Sequence, residues 1–115
     1  MKSHKDLKVW QESMTLVEVV YAKTKLFPKD ELFGLTSQVK RAAVSIPSNI
    51  AEGAGRKGSK EFQRFLYIAM GSASELDTQI EIAVRLGFVE HDKTIIDKIY
   101  FIKNMLAKLI EKLDD

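Results

Sequence analysis

The sequence predicts an all-α protein, an antiparallel four-helix bundle with up-down-up-down topology. Two observations carry this expectation. Apolar residues recur at three- and four-residue spacing through four long segments, and the prolines and glycines cluster between those segments, Pro47 and a few glycines excepted. No segment shows the apolar–polar alternation of a half-buried strand. Four amphipathic helices joined by short connections favour neighbours that run antiparallel and cross at roughly 20°.

The first helix is expected from about Lys5 to Leu26, with Leu7, Trp10, Met14, Val17, Tyr21 and Thr24 on one face. Phe27-Pro28 stops it, because the residue before a proline is pushed out of the helical region. Lys29-Asp30-Glu31 opens the second helix, placing acids at its positive end. Its inward residues are Leu32, Leu35, Val39, Ala42, Ala43, Ile46 and Ile50, and Gly53 is the expected C′ residue. Pro47 removes one backbone donor inside this pattern, which predicts a kink and not a break because the period continues to Ile50. Ser59 is the expected cap of the third helix, whose inner face reads Phe62, Phe65, Leu66, Ala69, Ala73, Leu76, Ile80 and Ala83 before Gly87 ends it. The fourth runs from about Asp92, a candidate N-cap, to about Leu113, with Ile95, Ile99, Ile102, Leu106, Leu109 and Leu113 inward.

Two helices carry more apolar residues than one face needs. Val9, Leu16 and Val20 form a second row on the first helix, as do Ile96, Tyr100, Ala107 and Ile110 on the fourth. Such rows either widen the core face or meet another molecule. The second reading makes Val9, Leu16, Val20, Ile96, Tyr100 and Ile110 candidates for a homo-oligomer interface.

Composition excludes several classes. A chain of 115 residues is one domain, long enough to bury a core without staples. It has no cysteine, so neither a disulfide framework nor a cysteine zinc site is available. Residues 1–10 lack the apolar run of a signal peptide, and no apolar run approaches a membrane span. A cytoplasmic protein with no membrane partner is expected. The net charge of +2 is only weakly basic.

No catalytic site is expected. The two histidines, His4 and His91, lie near helix ends, which gives no support to a Ser-His-acid triad. No Glu-x-x-His motif occurs, so the di-iron pattern of helical bundles is missing and no metal is expected. Glu52 and Glu75 read as salt-bridge carboxylates. No cofactor or small-molecule substrate is called for. Gly53-Ala54-Gly55-Arg56-Lys57-Gly58 matches G-x-G-x-x-G, but a helix precedes it where the dinucleotide fingerprint requires a strand. The Lys-Ser order of a phosphate-binding loop is also reversed in Ser59-Lys60.

What the loop does offer is charge. From Gly53 to Arg64 there are four basic residues against Glu61 alone, a local +3, beside a helix N-terminus whose free amides favour anions. Lys40, Arg56, Lys57, Lys60 and Arg64 are therefore candidates for binding a nucleic-acid backbone, with the alternative that they only solvate the surface. Of the nearby aromatics, Phe62 and Phe65 fall on the core stripe, which leaves Tyr67 as the stacking candidate. Counting outward from a turn near Arg56 brings Arg41 opposite Glu75, which predicts an ion pair between the second and third helices.

The chain resembles the four-helix-bundle proteins encoded in intervening sequences of bacterial large-subunit (23S) ribosomal RNA genes. The residues that carry the likeness are Leu7-Lys8-Val9-Trp10, Phe27-Pro28 before Glu31, and Gly34-Leu35-Thr36-Ser37-Gln38 leading to Arg41-Ala42-Ala43. Ser45-Ile46-Pro47-Ser48-Asn49-Ile50-Ala51-Glu52-Gly53 follows, then Glu61-Phe62, Phe65-Leu66-Tyr67-Ile68-Ala69, Gly71-Ser72 and Glu75-Leu76. The resemblance implies a four-helix bundle that assembles as a homopentamer, and it does not imply an enzyme. A similar group, the accessory variability proteins of diversity-generating retroelements, binds nucleic acid and a reverse transcriptase. Two functions are thus in view: a non-catalytic, oligomeric binder of nucleic acid, structured RNA foremost, or a structural or protein-interaction module without nucleic-acid binding.

Overall fold

The computed structural model describes residues 2–114. A 3-10 turn at His4–Asp6 precedes α1 (Lys8–Thr24). A second turn at Lys29–Glu31 precedes α2 (Leu35–Ala54), followed by α3 (Ser59–Arg85) and α4 (Lys93–Lys112). Among the described residues there is no strand. α2 packs on α1 and α3, and α4 packs on α3 and α1, while among the described residues the backbones of the diagonal pairs stay further apart.

Every seam is antiparallel. Tyr21 near the end of α1 meets Lys40 near the start of α2. Along the next seam Ser45 meets Ser72, while Gly53 abuts Phe65. Gln63 near the start of α3 donates to the carbonyl of Ile110 near the end of α4. Asp92 at the start of α4 returns to Lys23 at the end of α1. The chain therefore runs up-down-up-down, and the bundle measures 45 × 24 × 19 Å.

Local chemistry sets the helix ends, not always where the pattern suggested. α2 starts later than its acidic opening, because Lys29–Glu31 closes as a separate 3-10 turn and Gly34 becomes the N-cap. The Glu31 carboxylate then accepts from the Leu35 amide at 3.1 Å. α2 continues through Pro47 and past Gly53 to Ala54, so Gly53 is a helical residue and not a C′ residue. Gly58, at φ 86°, takes the N-cap position expected of Ser59. The end of α3 is as expected: Gly87 at φ 78° is in the left-handed region, its amide reaches Val84 and that of Phe88 reaches Ala83, the two bonds of a Schellman motif. At α4, Asp92 caps by accepting from the Thr94 amide at 3.0 Å.

The inner faces of α3 and α4 follow the sequence pattern. Leu66, Ala69, Ala73, Leu76, Ile95, Ile99, Ile102 and Leu106 are shut off from solvent. On α1 the two rows are exchanged except at Thr24, which is buried as expected. Val9, Leu16 and Val20 are buried, whereas Met14 and Tyr21 are exposed and Trp10 and Val17 are partly so. The buried row also contains Ser13 and Thr24. Their hydroxyls donate to the Val9 and Tyr21 carbonyls one turn back, at 2.7 and 2.9 Å. A hydroxyl satisfied by its own helix is cheap to bury, yet it interrupts an apolar pattern.

Candidate nucleic-acid interface

The α2–α3 turn is built around Gly53. A Cβ there would stand 2.7 Å from the Phe65 Cβ and 3.0 Å from Phe62 Cδ1, so only glycine lets the two helices come this close. The approach brings Phe65 under the turn. Its ring carries the Arg56 guanidinium at 5.2 Å and that of Arg64 at 4.8 Å, within cation–π range. Arg56 also pairs with Glu52 at 3.0 Å, and Arg64 with Glu61 at 3.3 Å. All four side chains are about half exposed. Lys57 and Lys60 are exposed and form no ion pair among the described residues.

Lys60, Arg64 and Tyr67 follow at i, i+4 and i+7 on the outer side of α3. Tyr67 is 62% exposed, while Phe65 is 8% exposed beneath its two arginines. The ring open for stacking is therefore Tyr67. At the same end of α3 the first-turn amides have no side-chain cap, since Gly58 occupies the N-cap position.

Not every candidate joins this group. Lys40 stands 16 residues before Arg56, about 24 Å along the helix axis. It lies over the Tyr21 ring at 4.9 Å, at the opposite end of the α1–α2 seam. The proposed Arg41–Glu75 ion pair is not formed either. Both are exposed and border one polar cleft with Gln38 and Ser45, but Glu75 instead accepts from Gln79 Nε2 at 3.3 Å, one turn along its own helix. Across the seam the bridging is done by neutral groups: Ser45 Oγ and Ser72 Oγ share a hydrogen bond at 2.8 Å, and Asn49 Nδ2 donates to Ser45 Oγ at 2.9 Å.

The topology brings further charge to this end. The start of α1 and the end of α4 lie beside the α2–α3 turn, so Lys2, Lys5, Lys8, Lys108 and Lys112 share it. Counting residues 2–8, 52–64 and 108–114 gives nine basic and five acidic side chains, a difference of +4. The lysines are scattered in sequence, and the helical pattern alone did not single them out. Asp6, at the same end, has its carboxyl held below the usual range by the Lys2 and Ser3 amides that it accepts.

The candidate oligomer rows fare unevenly. Val9, Leu16, Val20 and Ile110 belong to the core of the single chain and cannot meet a partner. Ile96 is partly exposed and Tyr100 is 50% exposed. No helix among the described residues is long and apolar enough to cross a membrane.

Comparison with known proteins agrees with the fold. Among curated proteins none matches the chain. The family model described as 23S rRNA-intervening sequence protein matches residues 5–108, nearly the whole four-helix bundle. With that match over helices α1 to α4, the chain belongs to the family of 23S rRNA-intervening sequence proteins.

Proposed function

We propose that this protein is a non-catalytic, oligomeric nucleic-acid-binding bundle of the cytoplasm, and that structured RNA is its ligand. The observation that carries the reading is the group at the α2–α3 turn: Arg56, Lys57, Lys60 and Arg64 beside the exposed Tyr67. Lysine and arginine neutralise phosphates, and an aromatic face accepts an unpaired base. Arg56 and Arg64 are held over Phe65, which pre-orients two planar guanidiniums suited to phosphate. Assembly as a homo-oligomer, with five copies as the family resemblance implies, repeats the group around the particle and raises its avidity. Contacts to backbone and shape predict little sequence preference.

The test is polarisation or filter binding against a structured RNA and a duplex DNA over a salt series. Each neutralised phosphate steepens the dependence of log K on log salt by about 0.7–0.9. Replacing Arg56, Lys57 and Lys60 together by Ala weakens binding and flattens that slope, with the oligomer unchanged. If the wild-type protein binds neither RNA nor DNA at low salt, the nucleic-acid reading fails. A protein-interaction module then takes its place, a reading favoured by Phe33, which is 93% exposed on the α1–α2 connection.

A further inference from the structure

We propose that the polar cleft on the α2–α3 seam takes one unpaired guanine base of a bound RNA strand. The inference rests on the nucleic-acid reading above and adds a base-reading site to it. The cleft, about 340 Å³, is lined by Gln38, Arg41, Ala42, Ser45 and Glu75. It falls within the size range of small-ligand clefts. Arg41 comes from α2 and Glu75 from α3, and neither forms an ion pair among the described residues. Opposite charges that share a cleft without pairing leave a donor fork and a pair of acceptor oxygens free for a third group between them. Gln79, one turn along α3 from Glu75 and 5% exposed, adds a second sign. Its amide nitrogen donates to the Glu75 carboxylate at 3.3 Å, which identifies the other atom as the oxygen, and that Oε1 is buried with no hydrogen-bond partner among the described residues. A buried acceptor left unpaired is costly, so the surroundings of Glu75 call for a donor.

A ligand that fits must offer donors to Glu75 and acceptors to Arg41. Among the RNA bases guanine does both in pairs. Its N1–H and N2–H lie side by side for the two carboxylate oxygens, and its O6 and N7 accept the two prongs of a guanidinium. Adenine and cytosine offer a carboxylate one amino group and uracil one ring N–H, so none meets it with two neighbouring groups. The guanine N1–H is engaged in a duplex, so the base must be unpaired, as protein-read RNA bases usually are. The seam then supplies the rest of the strand. From the cleft it runs past Ser45, Asn49 and Ser72 to Arg56 and Arg64 on Phe65. Arg41 stands 15 residues before Arg56, about 22 Å along the axis. A mononucleotide does not span that distance and a short single strand does, so phosphates at the turn and a base in the cleft belong to one strand. The turn reads backbone, and the cleft reads one base.

The test is polarisation at low salt with a short fluorescent oligouridine that carries one central guanosine, inosine or adenosine. All three are purines, so stacking on Tyr67 is held nearly constant, and inosine lacks only the N2 amine of guanosine. The guanosine oligomer is expected to bind about tenfold more tightly than the adenosine one, the discrimination of a good bidentate base contact, with inosine between them. Glu75→Gln and, separately, Arg41→Gln bring the guanosine-to-adenosine ratio close to one; both side chains are exposed, so the fold tolerates either change. Replacing Arg56, Lys57 and Lys60 together by Ala weakens all three oligomers by a common factor and keeps the ratio. Equal binding of guanosine and adenosine oligomers by the wild type overturns the cleft and leaves the nucleic-acid reading standing, as does a guanosine preference that survives in both Gln variants. Guanosine monophosphate is expected to compete only at far higher concentration than the oligomer, since it does not reach the turn; competition at the oligomer's own concentration assigns the cleft to a free nucleotide and overturns the strand. If none of the three oligomers binds, both readings fall together.

Discussion

Gly53→Ala adds one methyl group at the closest approach of α2 and α3. The new Cβ would stand 2.7 Å from the Phe65 Cβ and 3.2 Å from the Phe62 carbonyl oxygen. Carbon atoms rest at about 3.5 Å or more, so the helices must part by about 0.8 Å at this end. Neither obstacle can rotate away, since one is a Cβ and the other is main chain. Overpacking of this kind costs about 1–3 kcal/mol. Alanine returns up to about 1 kcal/mol of helix propensity, less at this position one residue from the helix end. The net expectation is a loss of about 1–2 kcal/mol, or roughly 4–8 °C in melting temperature for a domain of this size. Gly71→Ala is the control. It lies within α3 with nothing within 4 Å of its added Cβ, so propensity acts alone and stability rises by about 0.5–1 kcal/mol. Urea unfolding followed by circular dichroism measures both. A Gly53→Ala protein as stable as the wild type, or one shifted in the same direction as Gly71→Ala, would falsify the account of this seam.

Three further outcomes follow from the burial and pairing of single groups. Val20→Glu, at a position 0% exposed, places a carboxylate in the core and is expected to unfold the single chain, not merely dissociate it; loss of helical signal at every protein concentration distinguishes the two. A double-mutant cycle on Arg41 and Glu75 is expected to give a coupling energy below about 0.5 kcal/mol, because both are exposed and unpaired; a coupling of an ion-paired size contradicts the geometry. Lys23 pairs with Asp92 at 2.9 Å and, with the Thr94 and Ile95 amides, holds its carboxyl below the ordinary value of 3.8. A depressed carboxylate stabilises the fold above its unfolded pKa, and that stability is lost as pH falls through the folded one. The melting temperature is therefore expected to drop below about pH 4, and Asp92→Asn, which keeps the cap, should make that drop shallower.

The helices were legible because their periodicity is strong and their breakers are few. Phe27-Pro28 and Gly87 marked two ends, the second through a Schellman motif that glycine alone fills comfortably. The inward face of α1 was not legible. Its buried row contains Ser13, and its outer row contains the partly exposed Trp10 and the exposed Met14 and Tyr21, so hydropathy points the wrong way. The answer depends on hydroxyls that bond to their own helix, which spacing does not reveal. The Arg41–Glu75 expectation had the register nearly right, as Ser45 and Ser72 show, but register does not fix where exposed side chains point. The basic turn was visible as a local run of charge. That the ends of α1 and α4 add lysines to it is a consequence of topology.

The seam and the basic group are one construction. Gly53 allows Phe65 to reach α2, and Phe65 is the surface on which Arg56 and Arg64 rest. Moving Phe65 outward by the width of a methyl contact displaces both guanidiniums while removing no charge. Under the proposed RNA binding, the two ways of weakening it then have different signatures. Deleting Arg56, Lys57 and Lys60 removes phosphate contacts, and the salt slope falls with each. Gly53→Ala leaves every cation in place, so long-range attraction and the slope persist, while the pre-set orientation of the arginines is lost. Affinity is expected to fall several-fold at all salt concentrations, about 1 kcal/mol for one disturbed bidentate contact, in parallel with the wild-type line. Measured well below its melting temperature, a Gly53→Ala protein that is destabilised yet binds RNA with unchanged affinity would show that Phe65 serves the fold alone, and that Lys57 and Lys60 are sufficient for binding.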